Sequence, residues 1–146
     1  MRRREFMTLL GLVSASSLSA RAQQSAMSVI GVLHGVSAAQ WTDRMFGFHR
    51  GLSDAGFVEG RNVSVEYRWA EGQFDRLPAM AADLVERHVA VICAGAGDVA
   101  IRAAMAATKT TPIVFTTASD PVRAGFVASL GRPGGNVTGP LLWELN

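Results

Sequence analysis

Apolar positions recur along the chain in two alternating rhythms. Val29-Ile-Gly-Val-Leu-His34 is a short run without polar alternation, the pattern of a strand buried on both faces. Trp41, Met45, Phe48, Leu52 and Ala55 follow at spacings of four, three, four and three, which makes one apolar helical stripe. Asp43, Arg44, Arg50 and Asp54 lie off that stripe. Gly56 ends the predicted helix, and Glu59-Gly-Arg-Asn62 predicts a turn. Val63, Val65, Tyr67 and Trp69 then alternate with Ser64, Glu66 and Arg68, which predicts a strand with one wet face at a sheet edge.

The alternation continues. Asp75 to His88 predicts a second helix, with Leu77, Met80, Ala81, Leu84 and Val85 on one side. Pro78 falls in its first turn, where a missing N–H is tolerated. Val89-Ala-Val-Ile-Cys93 predicts a third strand, Gly95-Ala-Gly97 a turn, and Asp98 to Ala107 a small-residue helix. Pro112-Ile-Val-Phe-Thr116 predicts a fourth strand. Pro121 opens a predicted helix carrying Val122, Phe126, Val127 and Leu130, closed by Gly131 to Gly135, and Asn136-Val-Thr-Gly139 predicts a fifth strand. Four β-α steps over about 110 residues imply an α/β fold, a doubly wound parallel sheet with helices on both faces.

Composition narrows the class. The 146 residues are 49% hydrophobic with a single Cys, which excludes a disordered chain, a disulfide scaffold and a Cys-cluster metal site. The length suits one domain. The formal charge of +2 is misleading, because Arg2, Arg3, Arg4 and Arg21 supply four of the 14 basic residues and Glu5 one of the 12 acids. The rest of the chain carries 10 basic against 11 acidic residues, so no nucleic-acid partner is expected.

Those basic residues belong to a leader. Met1-Arg-Arg-Arg-Glu5 is a cationic segment, Phe6 to Leu18 an apolar one, and Ala20-Arg-Ala22 places small residues where a signal peptidase reads. Residues 1–22 are therefore expected to be a signal peptide cut before Gln23. Arg3-Arg-Glu-Phe-Met7 has the form of a twin-arginine signal, although Arg2 and Thr8 depart from it, so the export route stays open. No Cys follows the apolar segment, so neither a lipid anchor nor stable membrane insertion after cleavage is expected.

Parallel sheets bind ligands beyond the carboxyl ends of their strands, here the segments Gly35 to Gln40, Ala94 to Asp98 and Thr116 to Pro121. The first offers backbone donors near a helix start, the Ser37 hydroxyl and the Trp41 indole; an anionic group suits it. Ser37 is equally suited to capping the helix, and the stripe assigns Trp41 to the core. Gly95-Ala-Gly-Asp-Val-Ala100 matches G-x-G-x-x-A, with Asp120 lying 23 residues beyond Gly97, as in a dinucleotide fingerprint. Against that nucleotide-binding reading, it stands on the third strand, in an exported and Gly/Ala-rich chain. Asp120 before Pro121 is either an N-cap or a partner for an ammonium or hydroxyl group. His34, His49 and His88 lack metal-ligand spacing, no G-x-S-x-G elbow occurs, and Cys93 ends a buried strand. No enzymatic activity, metal or cofactor is expected.

The chain resembles the substrate-binding proteins of ABC transporters that group with tryptophan or tyrosine uptake systems, which are type I periplasmic binding proteins. The residues that carry the resemblance are Arg2-Arg-Arg-Glu-Phe6, Gly51-Leu-Ser-Asp-Ala-Gly-Phe-Val-Glu-Gly-Arg-Asn62 and Val65-Glu-Tyr-Arg-Trp-Ala-Glu-Gly72. Phe74-Asp-Arg-Leu-Pro78, Pro112-Ile-Val-Phe115, Asp120-Pro121 and Arg132-Pro-Gly-Gly-Asn-Val-Thr-Gly139 complete the set. The resemblance implies two flavodoxin-like lobes around a ligand cleft, of which residues 23–146 correspond to the first lobe alone, with 143–146 nearing the hinge. It further implies export to the periplasm, partnership with an ABC permease and ATPase, and a small polar ligand such as an amino acid or related carboxylate. By family position, Gly35, Val36, Ser37, Gly95, Ala96, Thr117 and Asp120 line the cleft. A nucleotide-binding domain using Gly95 to Ala100 and an inert truncated lobe are the competing expectations.

Overall fold

The computed structural model describes residues 27–140; the expected signal peptide and residues 143–146 lie outside the described residues. The strands are β1 (Ser28–His34), β2 (Val63–Trp69), β3 (Val91–Gly95), β4 (Ile113–Phe115) and β5 (Val137–Thr138). The helices are α1 (Thr42–Asp54), α2 (Leu77–Glu86) and α3 (Asp98–Ala107). The strands form one wholly parallel sheet in the order β2-β1-β3-β4-β5, the single flavodoxin-like lobe expected. The chain leaves β1 for β2 on one side and returns past it to β3 on the other. The sheet therefore reverses direction at the β1/β3 tips, and His34 stands level with both Trp69 and Gly95 there.

The two faces of the sheet are packed unequally. Leu33, Ile92, Ile113 and Phe115 point to the face that carries α2 and α3, where Leu77, Leu84 and Ile101 complete a cluster exposed by 1% or less. Each such side chain contributes about 1.5–3 kcal/mol on burial. Gly31 belongs to this layer, since a Cβ there would meet Leu84 Cδ1 at 3.0 Å. Val32, Cys93 and Val114 point to the other face, which among the described residues carries α1. The expected stripe of Trp41, Met45, Phe48 and Leu52 does face the sheet, but all four are half-buried and no residue of α1 is fully buried. Trp41 is thus not a core residue.

Three further expectations are corrected. The helix at Pro121 is one turn only: Ala124 N–H donates to Asp120 O at 2.9 Å and Phe126 N–H to Pro121 O at 2.9 Å, and then Gly125 at φ 80° takes the left-handed conformation that ends helices. Phe126 and Val127 are buried as expected, while Leu130 is 61% exposed. The third strand runs two residues later than Val89–Cys93, because Val89 N–H is used by Leu84 O to close α2, and this extends the strand to Gly95. The second helix opens as a 3-10 turn, Phe74–Arg76, and gives out at Glu86, with His88 left-handed at φ 55°.

β2 is an edge strand as predicted, and its polar side is half-open to water. Arg68 reaches across to α2 and donates to Asp83 Oδ2 from Nη2 at 2.6 Å and from Nε at 3.0 Å, with Glu66 Oε2 3.2 Å from Nη2. The guanidinium holds the Asp83 carboxyl below its usual range.

Candidate functional site

The tips of β1 and β3 are bonded to each other. Gly35 N–H donates to Gly95 O at 3.3 Å, and Gly35 approaches the Ala96 carbonyl so closely that a Cβ would stand 2.7 Å from its oxygen. Ala96 itself is left-handed at φ 56°, a conformation costly for a residue with a Cβ and common at ligand clamps. Thr117, one residue past Thr116 at the β4 tip, donates from Oγ1 to Asp98 Oδ1 at 2.8 Å and accepts from Ser119 N–H at 2.9 Å. Asp98 is the first residue of α3, so this bond ties the β4 loop to the β3 loop.

Of the seven expected residues, Gly35, Val36, Gly95 and Ala96 gather at the switch point, and Thr117 joins them through Asp98. Ser37 is turned to its own helix. Its Oγ accepts from Gln40 N–H at 3.4 Å while Gln40 Oε1 accepts from Ser37 N–H at 3.1 Å, a reciprocal cap. Asp120 stands apart: Oδ1 accepts from the N–H groups of Val122 at 2.9 Å and Arg123 at 3.1 Å, which makes it the cap of the one-turn segment.

The strand-end rule passed over two neighbours. The loop after β2 runs alongside the loop after β1, with Ala70 N–H donating to His34 O at 2.9 Å and Gly72 N–H to Gly35 O at 2.8 Å. Trp69 and Phe74 are thereby brought to the site. His34 is the other. It is 6% exposed, and its ring lies edge-on between Trp41, at 5.2 Å, and Trp69, at 5.0 Å. Its Nδ1 has no hydrogen-bond partner. Burial pulls its pKa down to about 4, so the imidazole is neutral at ordinary pH. Trp69 stacks on Tyr67 at 6.3 Å, and Tyr67 donates its hydroxyl to Glu59 Oε2 at 3.1 Å.

Such an arrangement offers backbone groups, small hydroxyls and aromatic surface, the kinds of group that line small-molecule sites. The family model for ABC transporter substrate binding proteins matches residues 29–140. The chain belongs to that family. Among similar proteins, the tyrosine-binding protein of Clostridioides difficile (strain R20291) is 38% identical over 93 residues, covering 64% of this chain and 27% of that protein. A ligand-free, open substrate binding protein with adhesive properties from Clostridium difficile superposes with a TM-score of 0.72 at 31% identity, covering 77% of this chain. An ABC domain from Streptococcus pneumonia in complex with L-Trp superposes with a TM-score of 0.71 at 30% identity, covering 78%. This chain spans 38% of the length of each of those two structures. Among the described residues of this substrate-binding protein, no helix is long and apolar enough to cross a membrane.

Proposed function

We propose that the chain forms the first lobe of an exported solute-binding component of an ABC importer, which takes an amino acid or related small carboxylate at the strand tips. The observation that carries this reading is the convergence of Gly35, Gly95 and Ala96 at the switch point of a wholly parallel sheet, the place where open α/β sheets bind their ligands. The names of similar proteins, one tyrosine-binding and one holding L-Trp, support an amino acid. Gly35, Val36, Gly95, Ala96 and Thr117 contact the ligand, Ser37 and Asp120 shape the loops around it, and no covalent chemistry takes place. Residues 1–22 direct export to the periplasm, where the loaded protein meets its permease and ATPase.

The nucleotide-binding reading of Gly95 to Ala100 fits less well. Asp98 brings a carboxylate into the first turn of α3, where a pyrophosphate would need the helix dipole to itself. Calorimetric titration of the full chain with L-Tyr, L-Trp, other amino acids, small carboxylates and NAD tests the assignment. Saturable binding of an amino acid is expected. A folded protein that binds none of these compounds would return the inert lobe, and saturable binding of NAD alone the nucleotide reading.

A further inference from the structure

α1 presents to solvent a face that gains nothing within a single chain. Met45, Phe48 and Leu52 turn towards the sheet, so the helical period sends Asp43, Arg50 and Asp54 down the opposite side, where all three are exposed. Beside that charged row, on the β2 flank, stands Phe46. It is 72% exposed, more than any other large apolar side chain among the described residues. It overhangs a groove of about 460 Å³ between α1 and β2, which Thr42, Met45, His49, Tyr67 and Trp69 also line. On the other flank are Gly47 and Gly51, where an added Cβ would meet nothing within 4 Å. Glycine inside a helix costs stability against alanine, and no neighbour among the described residues uses the space these two leave.

The charges on this face are self-complementary. Asp43 and Arg50 stand about two helical turns apart, and among the described residues neither forms an ion pair. A second α1 laid antiparallel, with residue 46 level with residue 47 of its partner, sets Asp43 beside Arg50 of the partner subunit and repeats that pair on the other side of the two-fold axis. A parallel pair would set like charges together instead. We propose that this face of α1 is a homodimer contact, covered by a second copy of the chain packed antiparallel about a two-fold axis beside Phe46 and Gly47. The two Phe46 rings meet on the β2 flank, and the glycines let the backbones close up on the other. Asp54 falls level with Ala39 of the partner subunit and stays solvated. The free edge of β2 is not the contact: the Val63 and Tyr67 carbonyls already accept from Gly60 N–H at 2.8 Å and from Arg68 Nη1 at 2.9 Å, which blunts it against pairing. Antiparallel packing turns the two sets of strand tips to opposite ends of the dimer and covers neither.

Sedimentation velocity of the full chain at roughly 1–300 µM and low salt is expected to show monomer and dimer in exchange, as a contact built around one helix gives. Phe46→Ser is expected to raise the dissociation constant by at least about tenfold, since each dimer loses two buried rings. Asp43→Arg and Arg50→Asp each set like charges face to face and are expected to raise it about tenfold, while the double variant recovers most of that loss. The three side chains are exposed, so thermal melts are expected to show every variant folded. A chain that stays monomeric throughout overturns the proposal. So does a dimer that ignores Phe46→Ser, or one in which the double swap associates no better than the single swaps, because another face then holds it. Binding of 8-anilinonaphthalene-1-sulfonate by a monomeric chain, lost with Phe46→Ser, would assign the face to a small apolar molecule and overturn the proposal as well.

Discussion

Gly35 lies so close to the Ala96 carbonyl that a Cβ at position 35 would stand 2.7 Å from the oxygen and 3.0 Å from Phe74 Cε1. One obstacle is backbone, held by a left-handed residue, so the contact cannot be relieved by a rotamer change. Gly35→Ala is expected to destabilise the fold by roughly 1–3 kcal/mol and to weaken ligand binding, as overpacking does. Urea unfolding and titration calorimetry measure the two effects. An unchanged midpoint would show that the β1 and β3 tips part freely.

His34 predicts a pH dependence. Its ring stays neutral in the folded protein down to about pH 4, whereas the unfolded chain takes up a proton near 6.5. The unfolded state therefore binds more protons between those values, and stability falls as pH drops from 6.5 towards 4. The loss attributable to this group is roughly 3 kcal/mol at most. His34→Gln should flatten that part of the profile in urea titrations at pH 7.5 and 4.5; an equal loss in both proteins would assign it to carboxylates.

Much of this was legible in the sequence, and what was not has a physical reason. The unbroken run at Val29–His34 reported β1 through its shortness, and the four-three stripe from Trp41 to Leu52 reported α1 through its period. Period does not report how deeply a stripe is buried, so Trp41 was misplaced in the core. The helix expected at Pro121 failed on Gly125, whose left-handed backbone outweighs the apolar spacing of Val122, Phe126 and Val127. At the site, the tips of β1 and β3 followed from topology. The end of β2 at Trp69, the loop that follows it to Phe74, and the orphaned ring of His34 depend on neighbours remote in sequence, and no local pattern announces them.

Thr117 links two of the binding loops, giving its hydroxyl to Asp98 and taking an N–H from Ser119. Thr117→Val keeps the shape and removes both bonds, and should destabilise the protein by about 1–3 kcal/mol, since the residue is buried and its partners lose their mate. Thr117→Ser should recover most of that loss in thermal melts. Equal melting of Val and Ser variants would deny the bridge any role.

Asp83 gathers both Arg68 and Arg87. Because its carboxyl is held below the usual range, the pairing adds stability above the ordinary Asp pKa and loses it as pH falls through the depressed value. Asp83→Asn is accordingly expected to melt below the parent protein at pH 7 and to converge with it in strong acid. A gap that persists at low pH would point to lost packing.

The unequal covering of the sheet divides the molecule into a durable half and a labile half. Amide protons of α2, α3 and the inner strands, packed around Leu33, Ile92 and Ile113, are expected to exchange last, whereas those of α1, with no fully buried residue, are expected to exchange first.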